Sequence, residues 1–266
     1  MVYPGSIAAH THTDRHWPGN GDCGRHAADH RVRTVSSRDL GRVVAVTSAP
    51  PPPPELEVVN RHRNVVVAGH TGNLALVEAH MADHAPIVRE AALSALQRLG
   101  ACTVDHIISA MSDPAPRVRS RAGELAVQVA NSSPAALLGD HDAAVVEVAC
   151  FACGEMQWPS GTAPTEQLSQ IATTHDDALC RESAAAALGA IGDPKGLEAV
   201  LVACNDRVTV RRRATLALAA FDDPRADIAL QRALNDKDWQ VRQAAEDLLE
   251  VGRVLDAPPD PDAYAD

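Results

Sequence analysis

The chain reads as all-α: a right-handed α-solenoid of about six helix pairs, closed at its N-terminal end by a capping helix. Three observations predict this. A helix opening recurs at Val88-Arg89, Val118-Arg119, Val145-Val146, Cys180-Arg181, Val210-Arg211 and Val241-Arg242, with separations of 30, 27, 35, 30 and 31 residues. Four residues into each of these helices stands an alanine: Ala92, Ala122, Ala149, Ala184, Ala214 and Ala245. Finally, hydrophobic residues make up 45% of the chain but aromatics only 3%, so the interior must be built from Ala, Val and Leu. Side chains this small suit helices that approach one another closely.

Taken in order, residues 1–54 read as a disordered segment, rich in His and Arg and then in Pro. His10, His12, His16, His26 and His30 follow no helical or strand period, and Pro50 to Pro54 impose extended backbone. A start placed too far upstream, with the working protein beginning near residues 44–55, is the alternative reading of this segment. The solenoid is expected over 55–252. Glu55 to Ala68 forms the capping helix, ended by Gly69. First helices are expected at 74–82, 103–112, 134–139, 166–173, 195–204 and 225–235. Second helices are expected at 87–99, 117–130, 144–156, 179–191, 208–221 and 239–251. Asp193-Pro194 and Asp223-Pro224 place a capping acceptor before a proline in the first helical turn, and Gly100, Gly192 and Gly252 mark helix ends. Residues 253–266, with four Asp and no basic residue after Val254, read as an acidic disordered tail.

The second helices carry an apolar stripe at +4, +7, +8 and +11 from the opening residue, as in Ala92, Ala95, Leu96 and Leu99. The unvarying alanine at +4 implies a helix crossing too close for a larger side chain. Ala214→Leu should therefore cost about 1–3 kcal/mol by overpacking. A thermal midpoint equal to that of the parent protein would count against this placement. The third repeat departs most from the pattern, with a short first helix, Val146 in place of Arg, and an inserted loop at 157–165. Trp158 in that loop is read as folded back onto its repeat, with an exposed contact residue as the alternative.

Formal charge is −11, and six Arg against four Asp in residues 1–45 leave a net −13 on the remaining 221 residues. Such a body repels polyanions, which argues against nucleic acid and anionic membranes as partners. No stretch is long and apolar enough to span a bilayer, and the six cysteines fall mostly at apolar helical positions, as reduced thiols of the cytoplasm would. Cys150 and Cys153 have metal or redox spacing, yet no second ligand pair accompanies them and Cys153 aligns with Leu96 and Leu218 at a core position. Asp140-His141-Asp142 and His175-Asp176-Asp177 sit where helix-capping acids belong. No phosphate loop, nucleophile elbow or zinc-protease helix is present. No catalytic residue, metal site or cofactor is expected.

The turn-and-helix unit Asp-x-x-x-x-Val-Arg resembles the short HEAT repeats, of the ARM/HEAT-type superhelix, typified by phycobilin lyase (PBS lyase) subunits. Asp83…Val88-Arg89, Asp113…Val118-Arg119 and Asp236…Val241-Arg242 match fully. Asn205…Val210-Arg211 and His175…Cys180-Arg181 match more loosely, and Asp140…Val145-Val146 lacks the Arg. The resemblance implies a ladder in which turn acids and helix arginines tie one repeat to the next, comprising Asp83, Arg89, Asp113, Arg119, Arg181, Asn205, Arg211, Asp236 and Arg242. The competing reading is a stripe of guanidinium groups facing an acidic ligand. Its contact residues would be Arg117 and Arg121 in the second repeat, and Arg212 and Arg213 in the fifth.

The function expected is non-catalytic. The solenoid is a scaffold whose concave, second-helix side binds another protein, a peptide or an acidic segment. Two alternatives remain. One is an enzyme or enzyme accessory related to bilin lyases or deoxyhypusine hydroxylase-like oxidoreductases, although the His-Glu pairs that hold the di-iron centre of the hydroxylase branch are absent here. The other is nucleic-acid binding through the arginine clusters.

Overall fold

The computed structural model describes residues 54–256, and what was expected of 1–53 and 257–266 lies outside them. Among the described residues there are helices and turns and no strand. A single helix, α1 (Pro54–Thr71), precedes six repeats. These are α2 (Leu74–Ala79) with α3 (Pro86–Arg98), α4 (Val104–Met111) with α5 (Pro116–Ala126), and a 3-10 turn (Pro134–Leu137) with α6 (Ala143–Glu155). There follow α7 (Thr165–Thr174) with α8 (Ala178–Ile191), α9 (Leu197–Ala203) with α10 (Val208–Ala217), and α11 (Pro224–Ala233) with α12 (Trp239–Asp256). Each second helix packs on the next, in the order α3, α5, α6, α8, α10 and α12, and α1 packs on α3 as the cap should. The fold is an α-solenoid.

Local chemistry accounts for the boundaries. Asp142, Asp177, Asp193 and Asp223 each accept a hydrogen bond from the backbone N–H two residues on, satisfying a donor that the helix itself leaves free. Pro54, Pro86, Pro116, Pro134, Pro194 and Pro224 all stand in the first helical position, where a missing N–H costs nothing. Gly192 ends α8 with φ 66°, and Gly100 follows α3 with φ 67°, the left-handed conformation that lacks a penalty only for glycine.

The six alanines at +4 are all 0% exposed, and the opening residues Val88, Val118, Val145, Cys180, Val210 and Val241 are buried with them. A thin aliphatic seam therefore runs along the stack, as the stripe predicts. Glycines mark further close backbone approaches on these helices. A Cβ on Gly189 of α8 would fall 2.7 Å from the Cα of Ala217 in α10, and one on Gly154 of α6 would fall 3.1 Å from the Cα of Ala187 in α8.

Four expectations need correction. Gly69 does not end the capping helix, which continues to Thr71. Gly69 is instead a point of close packing, where a Cβ would meet that of Ala95 at 2.7 Å. Gly252 does not end the last helix, which runs to Asp256. α5 stops at Ala126 rather than near residue 130, and Asn131 turns the chain with φ 62°. The first helix of the third repeat shrinks to one 3-10 turn, Pro134–Leu137, although Leu137 and Leu138 still reach the core.

Candidate functional site

The arginines at the second-helix openings build a ladder. Arg89 reaches Asp113 (Nε–Oδ2 2.7 Å, Nη2–Oδ1 2.6 Å), Arg119 reaches Asp140 (2.7 and 2.8 Å), Arg181 reaches Asp206 (2.6 and 2.9 Å) and Arg211 reaches Asp236 (3.0 and 2.8 Å). Each pair is bidentate, matching the planar guanidinium to both carboxylate oxygens of the next repeat. The remaining Nη1 donates to a main-chain carbonyl of its own turn: that of Asp83 for Arg89, Asp113 for Arg119, His175 for Arg181, Asp206 for Arg211 and Asp236 for Arg242. The aspartates also accept turn N–H groups, as Asp83 does from Ala85 and Asp113 does from Ala115. One carboxylate thus closes its own turn and binds the preceding repeat.

This geometry corrects the expected membership. Asn205 is not a rung, because its turn is one residue shorter and Asp206 takes Arg181. Asn205 instead donates to the carbonyl of Leu201. Asp140, recognised as part of the motif but not as a rung, pairs with Arg119. Arg61 of α1 was missed and adds a rung to Asp83 at 2.8 Å. It lies 22 residues before its aspartate, within the 21–25 residues that separate the other partners, and that spacing would have found it.

One rung is neutral. Val146 stands where the arginine belongs and is buried, and His175 stands in the place of the acid. The Nδ1 of His175 accepts the N–H of Asp177, just as Oδ1 of Asp140 accepts that of Asp142, so the turn is closed without a charge. Both partners have been replaced together, which avoids leaving a lone sheltered ion.

Burial pushes the carboxyls of Asp83 and Asp113 up, but hydrogen bonds from Arg61 and Arg89 and from turn N–H groups outweigh it and hold both below the usual range. Asp140, Asp206 and Asp236 are held low chiefly by Arg119, Arg181 and Arg211. A carboxyl whose pKa is lower folded than unfolded stabilises the fold above its unfolded value of about 3.9, and loses that contribution as pH falls through its folded value. The midpoint of urea unfolding should therefore fall steeply below about pH 4. A midpoint that stays level down to about pH 2.5 would contradict the ladder's role.

The four candidate contact arginines lie away from the ladder, on the same face of the second helices. Arg117 is paired with Glu90. Arg121 donates to Ser94 Oγ at 2.8 Å and to Glu124 at 2.6 Å. Arg213 lies 3.7 Å from Glu182. Arg212 is exposed and has no ion pair with a described residue. Between the two basic clusters, α6 and α8 present Phe151 (62% exposed) and Leu179 (56% exposed), with Glu147 and Glu155 beside them. Sequence reasoning passed over Phe151 and singled out Trp158. That Trp is half-buried, donating Nε1–H to the carbonyl of Cys153 at 2.8 Å and packing on the core.

The suggestive chemistry resolves into structure. Cys150, Cys153 and Cys180 are fully buried, and burial pushes the Cys153 thiol up to about 12. Asp142 and Asp177 are caps, and His141 is exposed. Among the described residues no three His, Cys, Asp or Glu side chains converge as a metal site would require, and no helix is long and apolar enough to cross a membrane.

Two family models agree with this architecture. A family model described as HEAT repeats matches residues 165–250, and one described as a HEAT repeat associated with sister chromatid cohesion matches residues 74–96. No curated protein matches the chain. Among solved structures, human deoxyhypusine hydroxylase in complex with glycerol is similar at 18% identity, with TM-score 0.40, over 74% of this chain and 80% of that one. An engineered protein is similar at 17% identity, with TM-score 0.48, over 68% of this chain and 97% of that one.

Proposed function

We propose that the chain is a non-catalytic HEAT-repeat scaffold, of the cytoplasm, that binds another protein through the exposed face of its second helices. The finer likeness to the phycobilin lyase type rests on the Asp-x-x-x-x-Val-Arg unit alone. The observation that carries the functional reading is the character of this face. Phe151, Leu179 and Leu216 are exposed on it, and carboxylates and guanidinium groups alternate around them. Exposed apolar side chains rimmed by mixed charge suit a protein surface. A polyanion would call for an unbroken positive strip, and here Glu124, Glu147, Glu155 and Glu182 interrupt the two arginine clusters. The buried cysteines, the rung carboxylate Asp140 and the caps Asp142 and Asp177 support the same reading, being committed to the core, the ladder or capping.

The test is recovery of bound proteins by the full chain from its native cytoplasm, compared with two variants. Phe151→Arg alters the second-helix face, while Ile108→Arg alters an exposed apolar position on a first helix, α4. Partners recovered by the parent and by Ile108→Arg, but lost with Phe151→Arg, support the reading. Partners kept by Phe151→Arg and lost with Ile108→Arg would move the interaction to the other side of the stack.

A further inference from the structure

The depression between α6 and α8 is the most distinctive feature of the second-helix face. Its volume is about 610 Å³, and its floor is made of small residues, Gly154, Ala186, Ala187 and Ala190. Phe151 and Leu179 form apolar walls, and Val148 lies beside them. At the position of Phe151, six residues after the opening, the other repeats carry Ser94, Glu124, Ala186, Leu216 and Asp247. A phenylalanine left mostly in water there, in a chain with two, forgoes much of the stabilisation that burying its ring would return. Single exposed apolar residues are ordinary, but an exposed aromatic standing over a recess marks a contact.

The rim gives the sign of the partner. Glu124, Glu147, Glu155 and Glu182 line the depression against one guanidinium, that of Arg213. Glu124 is held by Arg121 and Glu182 lies near Arg213, but Glu147 and Glu155 have no ion pair with a described residue. The reason is visible in the repeat. Glu90 and Glu182, two residues after their openings, pair with Arg117 and Arg213 of the next repeat's second helix. Glu147 holds the same position, but the next second helix, α8, offers Leu179 and Ser183 instead of arginines. Here the charge lattice that joins neighbouring repeats leaves its acidic half uncompensated, beside an exposed aromatic.

We infer that this groove, within the protein-binding reading above, receives a basic segment of a partner protein, one that places an aromatic or large aliphatic side chain against Phe151 and Leu179 with Lys or Arg alongside. The charge is opposite to that of the acidic segment that the arginine clusters suggest. The apolar side chain would fill the recess over Gly154 and Ala187, and the flanking cations would pair with Glu147 and Glu155. An arginine is favoured, because it can stack on the Phe151 ring and pair with a carboxylate at once.

A displayed library of random short peptides, selected on the full chain, tests this. The enriched peptides should combine an aromatic or large aliphatic residue with neighbouring Lys or Arg. They should lose about tenfold or more in affinity for Phe151→Ser, which changes an exposed position and leaves the fold intact. Against Glu147→Gln with Glu155→Gln, binding should weaken and become less sensitive to salt. Enriched peptides that are net acidic, or that bind Phe151→Ser as well as the parent, would overturn the assignment. If those same peptides were lost on Arg117→Glu with Arg212→Glu, which lie outside the groove, the groove would be wrong while the protein-binding face stood. No enrichment at all would count against both.

Discussion

Arg119→Val should destabilise the solenoid by about 3 kcal/mol, and should do so by stranding a carboxylate. Arg119 and Asp140 form the most sheltered rung, with side chains 6% and 7% exposed. Removing the guanidinium takes four hydrogen bonds, two to Asp140, one to the carbonyl of Asp113 and one to Nε2 of His141. The lost packing is modest, because valine retains the Cβ and fills the position as Val146 does in the next repeat. Most of the cost is the desolvated negative charge left behind. Asp140→His alone strands the opposite ion and should also be costly. The double variant, Arg119→Val with Asp140→His, copies the neutral rung of Val146 and His175. There the imidazole accepts the turn N–H in place of the carboxylate. The double variant should therefore be more stable than the sum of the single losses predicts, by about 1–2 kcal/mol. Urea unfolding of the four proteins measures the difference. Additive losses would mean that the two side chains act independently and that the rung is not a coupled pair.

That neutral rung also shows what was legible in the chain before any coordinates. The period, the buried alanines and all six second-helix openings were plain, because stacking repeats a steric requirement at each layer and the sequence must repeat with it. The ladder was legible as a motif but not as pairs. Its contacts run between repeats, so a one-residue change in turn length moves the acid from the place of Asn205 to Asp206 without altering the pattern of apolar residues. The boundary drawn at Gly69 failed for a different reason. Glycine ends a helix when its backbone turns left-handed, as at Gly100 and Gly192, but it also permits close contact in mid-helix, as at Gly69. One letter serves both uses, and only the neighbouring helix decides between them. The surface was least legible. Trp158 and Phe151 are both aromatic residues of the third repeat, yet Trp158 has a carbonyl of the preceding helix within reach, whereas Phe151 points away from the seam.

The second use of glycine yields the other large effect. Gly189→Ala should destabilise the protein by about 1–3 kcal/mol, although alanine is the better helix former by about 1 kcal/mol. Gly189 lies inside α8, where a Cβ would stand 2.6 Å from the Cβ of Ala217 and 2.7 Å from its Cα. Carbon atoms in contact prefer about 3.5–4.0 Å. The obstructing atoms are backbone and a methyl fixed to it, so no rotamer change relieves the clash, and α8 and α10 must move apart. That movement would loosen the seam of Ala185, Leu188, Ala214 and Leu218, all buried. Gly154→Ala meets the Cα of Ala187 at 3.1 Å and should cost less, while Gly139→Ala, with no atom within 4 Å, should change stability by less than about 0.5 kcal/mol. Thermal midpoints in the order Gly139→Ala, Gly154→Ala, Gly189→Ala, from highest to lowest, would show that α8 and α10 cross more tightly than α6 and α8. A midpoint for Gly189→Ala at or above that of the parent would mean that helix propensity outweighs the crossing, and that the stack is looser than these distances require. Because Ala186 and Ala190 of the same helix floor the groove beside Phe151, a measurable shift of α8 should also change peptide affinity there, linking the packing of the seam to the shape of the surface it supports.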